Sequence, residues 1–152
     1  MIVRNINKND FDQLQKIKSI NGLEILNNRL ERQMKGDVNF LVLEDNGEIK
    51  CFLLLKWKGR KTHPEYPDIE DLFTKESERG KGYASILISE CEKMAREKGF
   101  NKIGLAVNPD ENCPAHRLYK KLGFMNLGEK PYVDAIYNGV EDWCVDMVKN
   151  IK

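Results

Sequence analysis

The sequence predicts a mixed α/β fold in a single domain over residues 1–152, with one partly parallel sheet and helices on both faces. Three observations predict it. Apolar runs of strand length alternate with segments of helical period. The second, third and fourth strand-like runs are joined by a turn and a loop, whereas a long helix pattern separates the fourth from the fifth, as a parallel pair requires. The chain has 152 residues, 41% hydrophobic and 32% charged, which is the size and composition of one globular domain able to bury a core.

The elements follow in order β-α-α-β-β-β-α-β-α-β-β. Residues 3–6 form a short strand candidate. Asn9 or Asp10 can cap a first helix carrying Phe11, Leu14, Ile17 and Ile20 at helical spacing. Asn21-Gly22 interrupts it. A second helix over residues 23–35 has Ile25, Leu26, Leu30 and Met34 apolar and Gly36 as its stop. Residues 38–44 and 49–57 read as strands around the hairpin signal Asp45-Asn46-Gly47. Residues 59–68, with one Gly and two Pro, form a loop. The strand 69–74 leads through a glycine-rich turn into a helix with Ala84, Leu87, Ile88, Cys91, Met94 and Ala95 on one face, closed by Lys98-Gly99. Ile103, Leu105 and Val107 alternate as a strand. A short helix with Ala115, Leu118, Tyr119 and Leu122 stops at Gly123. Residues 124–127 and 143–148 are the last strand candidates, and the polar, aromatic stretch 128–142 between them suits a turn over a site.

The bulk numbers exclude several classes. A formal net charge of +1 gives no reason to expect nucleic acid or an anionic membrane as a partner. The cluster Lys56, Lys58, Arg60 and Lys61 reads as a solvated strand end. No apolar run nears the ~20 residues of a membrane span, and the N-terminal residues lack a leader's apolar segment, so a cytoplasmic location is expected. Cys51, Cys91, Cys113 and Cys144 are scattered, with no C-x-x-C pair and no His at ligand spacing, so neither disulfides nor a metal is expected. Cys51, Cys91 and Cys144 read as buried thiols. Cys113 lies beside the candidate site, where a nucleophilic role is the lesser reading.

The chemistry centres on Arg79-Gly80-Lys81-Gly82-Tyr83-Ala84. Two glycines at a strand-to-helix junction let backbone N–H groups face outward, and the helix start adds unpaired amides and a positive dipole end. Together these hold a phosphate or pyrophosphate. A P-loop needs G-x-x-x-x-G-K-[ST], which does not occur. A dinucleotide fingerprint needs a third Gly or Ala where this chain has Ser85, and the repeated βαβ array around it is missing.

The same hexapeptide has the form [QR]-x-x-G-x-[GA], the pyrophosphate signature of the GNAT superfamily of N-acetyltransferases. A later segment running from Asn112-Cys113-Pro114-Ala115 through Leu118-Tyr119 to Gly123-Phe124 resembles the family's N-x-x-A-x-x-L-Y-x-x-x-G-F. The chain resembles that superfamily over most of its length. The resemblance implies the GNAT fold, with a splayed parallel strand pair that admits acetyl-CoA as acetyl donor, and an N-acetyltransferase acting by direct attack in a ternary complex. It implies that the backbone of Gly80, Lys81, Gly82, Tyr83 and Ala84 cradles the pyrophosphate, with Arg79 and Lys81 adding positive charge. It also implies that Leu72, Phe73 and Thr74 pair with the pantetheine arm, and that Asn112 contacts it.

Attack of a primary amine on a thioester needs a base, because an alkylamine with a pKa of roughly 10 is protonated at neutral pH. Glu70 and Asp71, with side chains on opposite faces of a strand, and Asp68 upstream are the candidates, Glu70 first. These acids also suit strand-end ion pairs. The motif's tyrosine, Tyr119, is implied as the proton donor to the departing thiolate, although its helical spacing also suits the core. His116 reads as a surface residue. The acceptor site would draw on the N-terminal helices, the loop 59–68 and the segment before the last strand. Those regions supply Glu24, Glu31, Glu65, Tyr66, Tyr132, Asp134, Tyr137, Glu141 and Asp142, which suit a cationic amine. A small-molecule amine is the first choice. A protein lysine or N-terminus, or a non-catalytic acetyl-CoA module, is the alternative. The late strands offer a surface for a homodimer.

Overall fold

The structure, a computed structural model, describes residues 1–19 and 21–152. The elements are β1 (Ile2–Asn5), a 3-10 turn (Lys8–Asp10), α1 (Phe11–Ile17), α2 (Leu23–Met34), β2 (Val38–Asp45), β3 (Glu48–Lys56) and β4 (Asp68–Thr74). A second 3-10 turn (Glu76–Glu78) leads to α3 (Tyr83–Glu97), β5 (Lys102–Val107), α4 (Pro114–Lys121), β6 (Met125–Asn126), β7 (Tyr132–Tyr137) and β8 (Val140–Asn150). One sheet runs β1-β2-β3-β4-β5-β8-β6, with β7 also paired to β8. Among the described residues only β4 and β5 pair in parallel, as the long α3 connection predicts.

The strands β2 and β3 read as near-continuous apolar runs because both of their faces are covered. Alternate residues go to different cores. Phe40, Val42, Phe52 and Leu54 meet Phe11 and Leu14 of α1 and Leu26 of α2 on one face. Leu41, Leu43, Cys51, Leu53 and Leu55 meet Leu87, Ile88, Cys91 and Ala95 of α3 on the other. The β2–β3 turn has Asn46 at φ 53 and Gly47 at φ 77, the two positive φ values that a two-residue hairpin twisted like its strands demands.

Four readings need correction. The first helix is preceded by a 3-10 turn capped by Asn7, whose side chain accepts from the Asn9 amide while Asp10 accepts from the Asn7 amide. It ends at Ile17, and Ile20 lies outside the described residues. In α2 only Leu26 is fully buried, with Leu30 packed against it from the partly buried side, whereas Ile25 and Met34 are exposed. The stretch 128–142 is a strand and a turn: β7 pairs with β8 through Asn138 (φ 50) and Gly139 (φ 78), a second hairpin of the same kind. His116 is buried at 2% exposure, and its Nδ1 donates to the Asn108 carbonyl at 2.8 Å, which satisfies the ring inside the fold. Among the described residues no helix is long and apolar enough to cross a membrane.

Candidate active site

The site begins where the sheet splits. β4 and β5 pair only through Asp68 with Gly104 and Ile69 with Leu105. Beyond that point the Leu72–Thr74 edge has no strand partner on the β5 side. A cavity of about 420 Å³ opens there. Its walls include Leu72, Phe73 and Thr74 from β4, Arg79, Gly80 and Gly82 from the loop, Tyr83 and Ala84 from the start of α3, and Tyr119 from α4.

The loop is shaped for an anion. Gly80 at φ 81 and Gly82 at φ 84 both adopt the left-handed region, with nothing within 4 Å of where a Cβ would stand. The first bond of α3 runs from the Ile86 amide to the Gly82 carbonyl at 3.2 Å. The amides of residues 80–85 therefore have no protein acceptor among the described residues, and the first turn of α3 carries no acid. Unpaired amides at a helix start are what binds a phosphate group.

Two expected contacts stand outside this cavity's lining. The Lys81 side chain turns to Glu78, donating at 2.6 Å, so only its backbone serves the loop. Asn112 is exposed in the β5–α4 connection, its amide donating to Asp110 Oδ1 at 2.9 Å. Arg79 donates to the Thr74 carbonyl at 3.2 Å and lies over the Phe73 ring, 5.1 Å from its centre. The Phe73 ring also stacks on Phe52, so it belongs to the core as well as to the cavity wall. Cys113 caps α4 and lies outside the lining, while Cys51, Cys91 and Cys144 are buried thiols as expected.

A second cavity, of about 570 Å³, meets the first at Leu72 and Tyr119, which line both. A bulge in β4 shapes it. Opposite Leu53, β4 places both Asp71 and Leu72, and Asp71 takes φ 54. The bulge breaks the strict alternation that would put Glu70 and Asp71 on opposite faces, and both line this cavity. Their surroundings differ. Asp71 is tied to Lys18 through Oδ1 and to Arg29 through Oδ2 at 2.8 Å. Glu70 has looser partners, Lys56 at 3.3 Å and Arg60 at 3.5 Å. Asp68 is buried outside the lining, and burial pushes its carboxyl up to about 7 against the pull of Arg60 at 3.3 Å.

Tyr119 is 8% exposed and packs edge-on against Phe124, with 6.0 Å between ring centres. Burial pushes its phenol up to about 12. Its hydroxyl has no hydrogen-bond partner among the described residues, although it lines both cavities. A neutral phenol at the junction can donate to an atom that arrives there.

Of the acids and tyrosines expected around an acceptor, Asp134, Tyr137 and Asp142 line the second cavity. Glu24, Glu31, Glu65, Tyr66, Tyr132 and Glu141 do not. Ligand atoms of Asp134, Asp142 and Cys144 lie within 4.8 Å of one another. Arg60 meets Asp134 at 2.6 Å, whereas Asp142 has no cation in ion-pair reach among the described residues. Arg60 itself is a correction: its side chain is 13% exposed and lines the cavity wall, so it is not part of a solvated basic cluster. Nothing in the composition around it marks it, but Gly59 before it does. Gly59 takes φ +71 and folds the loop back so tightly that a Cβ would stand 2.5 Å from two carbonyl oxygens, those of His63 and Tyr66.

The sheet opens at the parallel β4–β5 pair, free helix-start amides stand at the mouth, and a second, charged cavity lies beside the first, an arrangement of α/β class with room for an extended ligand. The chain belongs to the acetyltransferase (GNAT) family, whose sequence model matches residues 7–124. It is 38% identical over 73 residues to thialysine N-epsilon-acetyltransferase of Bos taurus, a match covering 48% of this chain and 39% of that protein. The chain thus spans about two fifths of the length of the curated relatives it matches. The fold is that of an N-acetyltransferase from Staphylococcus aureus Mu50, with a TM-score of 0.81 at 17% identity over 99% of this chain and 98% of that one. The PaiA N-acetyltransferase of Thermoplasma acidophilum, solved in complex with coenzyme A, superposes with a TM-score of 0.73 at 18% identity, covering 98% of each chain.

Proposed function

We propose that this protein transfers the acetyl group of acetyl-CoA to a primary amine of a small cationic acceptor, by direct attack in a ternary complex. The observation that carries the reading is the junction: a cavity lined by free amides and a bare strand edge meets a cavity lined by four carboxylates and the three cations Lys18, Arg29 and Arg60, and Tyr119 and Leu72 belong to both. Family membership and the bovine relative's name, an acetyltransferase of thialysine N-epsilon, support the donor and the reaction type.

In this reading the amides of residues 80–85 hold the pyrophosphate. The Leu72–Thr74 edge pairs with the amides of the donor's arm as an added strand would. The acceptor nitrogen loses a proton to Glu70, directly or through a water, and its lone pair attacks the thioester carbonyl carbon. The tetrahedral adduct then expels sulfur as the C–S bond breaks, its nitrogen sheds the second proton, and the thiolate takes up a proton from water, giving an N-acetyl product and CoA. Glu70 is the best placed of the three acids. Asp71 has both oxygens held by cations, and Asp68 is sealed away from the cavity. Tyr119 serves the sulfur. A phenol that keeps its proton up to about 12 does not lose it outright to a thiolate whose conjugate acid has a pKa of roughly 8.5, so Tyr119 acts chiefly as a hydrogen-bond donor to the developing charge.

Asp142 gives the acceptor its character. It is the lining carboxylate without a cation of its own among the described residues, and it suits a second positive group on the amine. Asp142→Asn is expected to raise KM about tenfold for 1,3-diaminopropane, the loss of one charge-assisted contact, with kcat little changed. KM for a simple monoamine should stay put, and an equal rise for both amines would remove this role. The reading as a whole is tested by calorimetry with acetyl-CoA, then by thiol release across thialysine, 1,3-diaminopropane, spermidine, an aminoglycoside and a lysine peptide. Failure to bind acetyl-CoA sinks it. Binding with no thiol release from any amine leaves a binding module instead.

A further inference from the structure

We propose that Arg60 is a positioning residue for acetyl transfer, its guanidinium spanning Glu70 and Asp134 so that Glu70 stays directed at the acceptor cavity. The inference rests on the reading above.

Arg60 stands apart from its basic neighbours. The Lys58 side chain is 86% exposed, whereas that of Arg60 is 13% exposed. Its fork reaches three carboxylates from two strands: Asp68 Oδ2 at 3.3 Å from Nε, Glu70 Oε1 at 3.5 Å from Nη2, and Asp134 Oδ1 at 2.6 Å from Nη1. The Tyr132 hydroxyl lies 3.5 Å from Nη1. Of the three acids only Asp134 is hydrogen-bonded; Asp68 and Glu70 lie at ion-pair distance, and Arg60 Nε and Asp68 Oδ2 have no hydrogen-bond partner among the described residues. A planar guanidinium spreads its charge over all three directions, as a point-like ammonium does not. The loop that carries Arg60 is built to hold it. The Arg60 amide donates to the His63 carbonyl at 3.3 Å, the His63 amide returns the bond at 3.0 Å, and Gly59 makes the fold-back. Burying a cation and a carboxylate side by side is costly, and burial works against the charge of both Arg60 and Asp68. The sequence bears that cost at the one place where it connects the acid at the strand split to the acids of the β7–β8 hairpin.

The other charged and titratable groups near Glu70 define what remains without Arg60. Lys56 of β3 still pairs with Glu70, and Asp68 lies beside it on β4. Glu24, Arg29 and Arg32 of α2 border the shallow groove beyond Glu70. Tyr132 and Asp134 face it from β7, through Arg60. Removing Arg60 leaves Glu70 to Lys56 alone and frees Asp134 to join Asp142. The acceptor is then held no less well, but the carboxylate that should take its proton is no longer fixed.

The test uses the full chain with 1,3-diaminopropane, or with whichever amine of the panel is turned over. Arg60→Met strands a buried Asp68, so R60M/D68N is made beside it, and R60K is the conservative variant. Expected for R60M and R60M/D68N is a fall in kcat of about 30-fold, within the range of general-base assistance, with no rise in acceptor KM and with acetyl-CoA affinity unchanged. R60K, which keeps a cation beside Glu70, should recover part of kcat. Wild-type turnover in R60M/D68N would overturn the proposal. So would equal losses in R60M and R60K, or a loss carried by a raised KM for either substrate, which is the signature of a merely structural residue. If the wild-type protein acetylates no amine of the panel, the parent reading fails and this inference falls with it.

Discussion

Tyr119→Phe is expected to lower kcat by about 100-fold while acetyl-CoA affinity stays within about twofold. The substitution removes one oxygen and keeps the ring that packs edge-on against Phe124 and closes the core beneath the junction. The fold and the donor cavity therefore survive, and the loss falls on the transition state, where negative charge gathers on sulfur. kcat and kcat/KM should drop together, the pattern of an interaction made only as the reaction proceeds. The pH dependence has a definite sign. Burial raises the phenol to about 12, so the donor form persists through neutral and mildly alkaline pH and is lost only as the pH rises through that value. Tyr119 should contribute no alkaline limb below about pH 11, a unit short of the point of half-deprotonation. Steady-state kinetics of both proteins, with calorimetric titration of acetyl-CoA, decide the matter. Unchanged turnover in the variant removes Tyr119 from the chemistry.

Gly59→Ala is the substitution expected to damage stability most among the glycines. An alanine there would have to hold φ +71, which costs a residue with a Cβ about 1–2 kcal/mol. Its methyl would also stand 2.5 Å from the backbone oxygens of His63 and Tyr66, and a clash with backbone cannot be relieved by turning a side chain. Together these should cost about 3 kcal/mol, near the upper range for a single overpacked site. Gly47→Ala carries the first term alone, because Gly47 sits at φ +77 with nothing within 4 Å of its Cβ position. It should lose only about 1 kcal/mol. Denaturant midpoints for the two variants measure the difference, and equal losses would show that the tight loop does not matter.

The donor side was open to reading from residues because its chemistry is local. Two glycines, a strand before and a helix after are contiguous in sequence, and the backbone itself makes the cradle. The acceptor side is assembled from distant segments, and its signals are weaker. Asn46-Gly47 announces its hairpin because apolar residues flank it. Asn138-Gly139 carries the same turn chemistry, but Asp134, Glu141 and Asp142 break the alternation around it, and much of β7 is exposed. A hairpin half in water has no apolar pattern to show. Arg60 hides among lysines, and only the left-handed Gly59 turns it inward. The bulge at Asp71 has no glycine to mark it. An aspartate tolerates positive φ better than most residues, and here it is held by Lys18 and Arg29 from elements far away in the chain.

The shared wall at Leu72 and Tyr119 carries a consequence for the sequence of events in a catalytic cycle. The Leu72–Thr74 edge lacks a neighbour on the β5 side among the described residues. In the proposed reaction the donor supplies that neighbour and steadies β4, including the bulge at Asp71, before the amine enters. The expected kinetics are therefore ordered, acetyl-CoA ahead of the amine and CoA last out. Product inhibition checks this: free CoA should compete with acetyl-CoA but not with the amine.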